Sequence, residues 1–109
     1  MRRTDADHAR DALEHLAMID RHVSEGGWAR QVVVDAVCLR LAASIEAASR
    51  LSDEARDVAF GPAWPAIWAT RNRIAHGYST VDPQIVRATV ENDLAEFVEA
   101  LRRLATRTR

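Results

Sequence analysis

The chain has 109 residues, 48% of them apolar and 28% charged, which are the proportions of one ordinary globular domain spanning residues 1–109 with room for a single core. All 15 basic residues are arginine, so mechanisms built on a lysine amine, from Schiff bases to the phosphate-loop lysine, are excluded. The net charge of −1 is unevenly spread: residues 1–70 hold 8 Arg against 11 acids and residues 71–109 hold 7 Arg against 5, so an anionic partner is expected on the second part.

Strand signals are nearly absent, whereas apolar residues recur at helical spacing throughout. The first helix is expected over about residues 4–24, with Ala9, Leu13, Leu16, Ile19 and Val23 on one stripe and Gly26-Gly27 ending it. His8, His15 and His22 lie seven apart on it. Neighbouring members are separated by about 10.5 Å of helical rise, too far to share a zinc ion held at ~2.1 Å, so they read as a polar stripe and no metal is expected.

A second helix, about residues 29–51, is apolar around most of its circumference, including Val32, Val33, Val37, Leu41, Ile45 and Ala48, as a central helix contacted on several sides would be. Its interruptions by Asp35, Arg40 and Glu46 rule it out as a membrane span, and the N-terminal residues lack the apolar region of a signal peptide. Cys38, the sole cysteine, can form no intrachain disulfide and suits a reducing cytoplasm. Asp35 and Glu46 lie within roughly 20° of each other on this helix, and acids there need partners. Glu46 is expected to reach Arg71 or Arg73; the alternative is a partly exposed acid bound to water.

Ser52, followed by Asp53 and Glu54, caps a short helix that Gly61-Pro62 stops near Phe60. Pro65 fits the first turn of a fourth helix, preceded by Trp64 and carried on by Ile67, Trp68 and Ile74, until Gly77 offers a left-handed terminus after His76. Asp82-Pro83 opens a last helix running to about residue 105, with Ile85, Val86, Val90, Leu94, Phe97, Val98, Leu101 and Leu104 at core spacing. Four arginines then crowd residues 102–109. The expected fold is an all-α, up-and-down bundle of four long helices and one short one. Trp28, Trp64 and Trp68 are expected in the core or at a dimer contact, not as a platform for bases.

The densest chemistry is Arg71-Asn72-Arg73-Ile74-Ala75-His76-Gly77-Tyr78. Residues five apart are rotated by roughly 140° net on an ideal helix, so Arg71 and His76 do not share a narrow face. They converge if helical geometry breaks at His76, or if a two-fold dimer lines one groove with both copies of each. Histidine, with an ordinary pKa near ~6.5, exchanges protons near neutrality, and arginine supplies a permanent multi-donor cation for phosphate oxygens. RNA brings its own nucleophile, the 2′-hydroxyl, so neither metal nor enzyme nucleophile is needed for its cleavage. Capping of a helix C-terminus by cationic side chains is the other reading of the same residues.

Arg71-Asn72, four residues between Arg71 and His76, and then Tyr78 resemble the motif of the HEPN superfamily, and within it the HepT-like toxins of toxin–antitoxin pairs. Ile45-Glu46-Ala47-Ala48 with Leu51-Ser52 looks like the family's helix-two signature, and Trp64-Pro65 through Ile67 and Val81-Asp82 with Ile85-Val86 resemble its flanking segments. The resemblance covers about residues 35–95. It departs at Ala69-Thr70, where many relatives have glycine and a larger apolar residue, and at Arg87, where an aromatic residue often stands. It implies a HEPN-type bundle and a homodimeric, metal-independent ribonuclease toxin of a type VII-like pair, with Arg71 and His76 catalytic and Asn72 orienting one of them or the phosphate; from their placement, Arg73 and Glu46 are expected to support them. It further implies no cofactor, and an MNT-type nucleotidyltransferase antitoxin that transfers AMP to Tyr78. The alternative is a non-catalytic helical module that binds RNA or a nucleotide and partners a nucleotidyltransferase.

Overall fold

The computed structural model describes residues 2–77 and 80–106 and, among them, contains only helices and the turns that join them. The first helix, α1 (Asp5–Gly26), starts from a reciprocal cap: the Asp7 amide donates to Thr4 Oγ1 at 3.2 Å and the Thr4 amide donates to Asp7 Oδ2 at 2.9 Å. The backbone bond from Thr4, and next the side chain of Arg10, lower the Asp7 pKa to about 2. Gly27, at φ 74°, ends the helix by donating its amide to the Val23 carbonyl. Only a residue without Cβ enters that conformation readily.

Ala9, Ala12, Leu16 and Ile19 turn inward from α1 against α2 (Gln31–Ala48), which buries Val33, Val34, Val37, Leu41, Ile45 and Ala48. As expected of a central helix, α2 is contacted on several sides, by α1, α4 and α5, but Val32, expected among its packed residues, is not covered. Val32 and Leu39, seven apart and so on one face, are 61% and 68% exposed, because neighbouring helices cover only the other sides.

Ser52 caps α3 (Asp53–Phe60) by accepting from the Ala55 amide, and the Asp5 carboxylate accepts from both the Ser52 amide and its hydroxyl at 2.8 Å. The start of α1 is thereby tied to the start of α3. Gly61, at φ 52°, releases the chain into a 3-10 turn (Gly61–Ala63) and then α4 (Trp64–Gly77), which lies against α2. Gly77 itself is still helical and has no positive φ, contrary to the left-handed terminus expected there. Its carbonyl accepts from the Thr80 hydroxyl at 2.8 Å, and a Cβ at Gly77 would meet that oxygen at 3.2 Å. The Thr80 side chain therefore satisfies one of the carbonyls at this helix end.

The expected last helix is interrupted. It forms α5 (Pro83–Asn92), capped by the Asp82 side chain, and α6 (Leu94–Ala105), with Asp93 at φ −111° between them. Asn92 and Asp93 are weak helix formers whose side chains compete for backbone hydrogen bonds. On α5, Val86 is buried but Ile85 is 51% exposed, so its expected core role does not hold. Phe97, Leu101 and Leu104 of α6 close the core against α1 and α3. Arg10 donates to the Ala105 carbonyl at 3.1 Å, placing a cation at the negative end of α6. Among the described residues, no helix is long and apolar enough to cross a membrane.

Candidate active site

Ile74 is the buried residue of α4, and fixing it inward sets the rotation of every other side chain on that helix. Arg71 then falls at the edge between core and solvent, where it can reach α2. Its Nη2 lies 2.7 Å from Glu46 Oε1, its Nη1 donates to Asn72 Oδ1 at 3.0 Å, and its Cζ stands 4.8 Å from the centre of the Trp68 ring. The two partners in the ion pair are each about one-third exposed. Of the five guanidinium N–H groups, the hydrogen bond to Asn72 uses one and the ion pair with Glu46 engages the Nη2 side, which leaves others to bind an anion. The side chain is thus fixed and still able to receive phosphate.

Of the two arginines that Glu46 was expected to reach, the structure selects Arg71. Arg73, two positions on, is exposed on another side of α4 and has no ion pair among the described residues. Asp35 pairs with Gln31 on its own helix at 2.9 Å and takes no part in the Arg71 cluster.

His76 is exposed in the last turn of α4, where a cation is favoured by the helix dipole. Because the helix continues through Gly77, the roughly 140° rotation between Arg71 and His76 is retained. No hydrogen bond among the described residues joins the two. Trp68 lies one turn back toward the start of α4 and His76 more than one turn on toward its end, so the Trp68 contact holds the guanidinium without bringing it to the imidazole. The Trp68 contact is not among the sequence expectations, although the i, i+3 spacing that allows it is legible. Tyr78 lies outside the described residues.

Other chemically capable groups are accounted for elsewhere. Cys38 is buried, and desolvation, followed by the charge of Asp35, raises its pKa, which keeps the thiol protonated. His15 Nδ1 accepts from Arg40 Nη1 at 3.1 Å across α1 and α2. An apolar cleft of about 420 Å³, lined by Leu41, Ile45, Phe60, Ile67 and Phe97 among others, contains none of Arg71, Asn72 and His76.

What this arrangement can do chemically is bind a phosphate through Arg71 and exchange a proton through His76, given a substrate or a second chain that spans the two. No curated protein and no solved structure matches the chain significantly. The family model described as "Ribonuclease HepT-like" matches residues 9–104, a span that includes every helix bearing on the site. The chain belongs to the HepT-like ribonuclease family, an all-α family whose membership supports ribonuclease activity and RNA as the substrate.

Proposed function

We propose that this protein is the toxin of a toxin–antitoxin pair, a metal-independent endoribonuclease whose working unit is a homodimer of one-domain chains in the cytoplasm. The observation that carries the reading is the clamped Arg71 on the same helix as an exposed His76, within a chain of ribonuclease family. The persistence of α4 through Gly77 favours two chains, since a break at His76 was the route by which one chain could have closed the gap alone. In a two-fold assembly, Arg71 of one subunit and His76 of the other line a single groove.

In that groove, imidazole takes the proton of the 2′-hydroxyl and the freed oxygen attacks the adjacent phosphorus. The 5′-oxygen leaves and receives a proton from an imidazolium. The products are a 2′,3′-cyclic phosphate and a 5′-hydroxyl. Arg71 binds the non-bridging oxygens and stabilises the charge that develops on them. Asn72 and Glu46 hold the guanidinium, and Arg73, free on the solvent side, contacts the neighbouring backbone of the RNA. An MNT-type nucleotidyltransferase is the antitoxin, and AMP added to Tyr78 would place a bulky anion beside the cleft and repel RNA.

The test is cleavage of an oligoribonucleotide in EDTA by the wild type and by His76→Ala. The wild type is expected to yield cyclic-phosphate ends and the variant none, with the dimer intact by light scattering. Cleavage that stops in EDTA, or continues in the variant, would reject the assigned chemistry.

A further inference from the structure

The aromatic side chains of this protein form a column that ends on Arg71. Phe97, in the core on α6, packs against Phe60 with ring centres 5.2 Å apart. Phe60 stacks with Trp64 at 5.7 Å and an interplanar angle of 26°, and Trp64 stacks with Trp68 at 5.9 Å and the same angle. Trp68 carries the Arg71 guanidinium at 4.8 Å. Midway along the column, Arg56 stands 5.3 Å from the Trp64 ring, and it also donates to the Ser49 carbonyl and to Asp53.

The sequence origin of the column is simple. Trp64, Trp68 and Arg71 follow i, i+4, i+7, so helical geometry alone places them in one row on α4. Each indole already stacks on two neighbours within the chain, which makes the row a poor platform for bases. A planar cation held over an indole face loses less attraction to water than an ion pair does, and it keeps its edge N–H groups free for other partners.

We infer that Trp68 is a positioning residue for cleavage: it holds the Arg71 guanidinium at a fixed height and tilt beside Glu46, with Trp64, Phe60 and Phe97 bracing it from the core. The inference rests on the proposed role of Arg71 and extends it to a residue that touches no substrate. Glu46 fixes the guanidinium from its edge and Trp68 from its face, so loss of either leaves a charged but misdirected side chain. Charge attraction for RNA then persists while alignment at the phosphorus is lost. A misplacement of about 1 Å can lower a rate by ~10²-fold.

The experiment compares Trp68→Phe and Trp68→Leu with Arg71→Ala in steady-state cleavage of an oligoribonucleotide, with helix content and melting temperature measured on each. Phenylalanine keeps a ring face and leucine keeps apolar bulk without one. Trp68→Leu is expected to lower kcat by about 10- to 100-fold with KM changed by less than about threefold, and Trp68→Phe to stay within about threefold of wild type. In the wild-type protein, the Arg71 side-chain NMR signals, assigned by their loss in Arg71→Lys, are expected upfield of those of exposed arginines because of the indole ring current. That measurement needs no variant to remain active. Inactivity of Arg71→Ala together with wild-type kcat in Trp68→Leu would overturn this inference alone. Wild-type cleavage by Arg71→Ala would overturn the proposed reaction and the inference with it. Arg71 signals at the exposed-arginine position would overturn the stacking itself.

Discussion

The two ends of the motif on α4 are built differently. Arg71 is held on three sides by Glu46, Asn72 and Trp68, whereas His76, five residues on, stands exposed in the last turn with no side-chain hydrogen bond among the described residues. The difference matches what each group would do in the proposed reaction. A guanidinium is always charged and loses much side-chain entropy when it grips a phosphate, so prior fixation lowers the cost of binding. An imidazole has to meet a proton whose position is set by the bound RNA and, in the proposed dimer, by another chain. One end is organised by the fold, and in the proposed reaction the other is left for assembly and substrate to organise.

Several changes would sharpen or break that contrast. The largest effect is expected at the two chemical groups: Arg71→Ala and His76→Ala should each reduce cleavage by at least ~10²-fold, read as initial rates, while circular dichroism shows an unchanged helical bundle. Next is Glu46→Gln, which keeps a hydrogen-bond acceptor but removes the charge; cleavage is expected to fall roughly tenfold, with the loss mainly in kcat. An equal change at Asp35→Asn would show that the α2 face as a whole, and not the Glu46 contact, matters. For the fold beneath the site, Ile74→Ala should destabilise the chain by about 2–4 kcal/mol in denaturant titration, because a residue only 5% exposed leaves a cavity under Arg71.

Smaller effects are expected away from α4. Cys38, its pKa raised by burial and by Asp35, should react with a thiol reagent slowly in the folded protein and rapidly in denaturant. At the start of α1, Asp7 titrates at about 2 in the folded chain against an ordinary value of 3.8. A lowered pKa means that its contribution to stability is present above the unfolded value and is lost as pH falls through about 2. Asp7→Asn, which removes the titrating carboxylate, should therefore lower the melting temperature at pH 7, and its difference from wild type should shrink as pH approaches 2.

The helices were legible because their boundaries are chemical. Ser52, Asp82, Gly27 and Gly61 act at the places where capping and turn preferences put them. Gly77 did not: it is still helical, and the Thr80 hydroxyl, supplied three residues later, satisfies its carbonyl. The break at Asp93 was hidden by apolar spacing that continues in phase from Val86 to Leu104. Likewise, periodicity alone cannot distinguish Val32 and Leu39, on an uncovered face of α2, from the buried valines beside them. At the site, the Glu46–Arg71 pair could be anticipated from an acid placed on an apolar helix. The column from Phe97 through Phe60 to the tryptophans could not, since it joins three helices whose crossing is a property of the packed structure.

The most direct test of the composite groove mixes the two inactive forms. Arg71→Ala and His76→Ala chains, co-expressed with different tags and purified through both, give heterodimers in which one groove keeps an intact Arg71 from one chain and an intact His76 from the other. The account predicts that these cleave RNA about 10²-fold faster than either parent homodimer. Heterodimers as inactive as their parents would contradict it and confine the chemistry to a single chain.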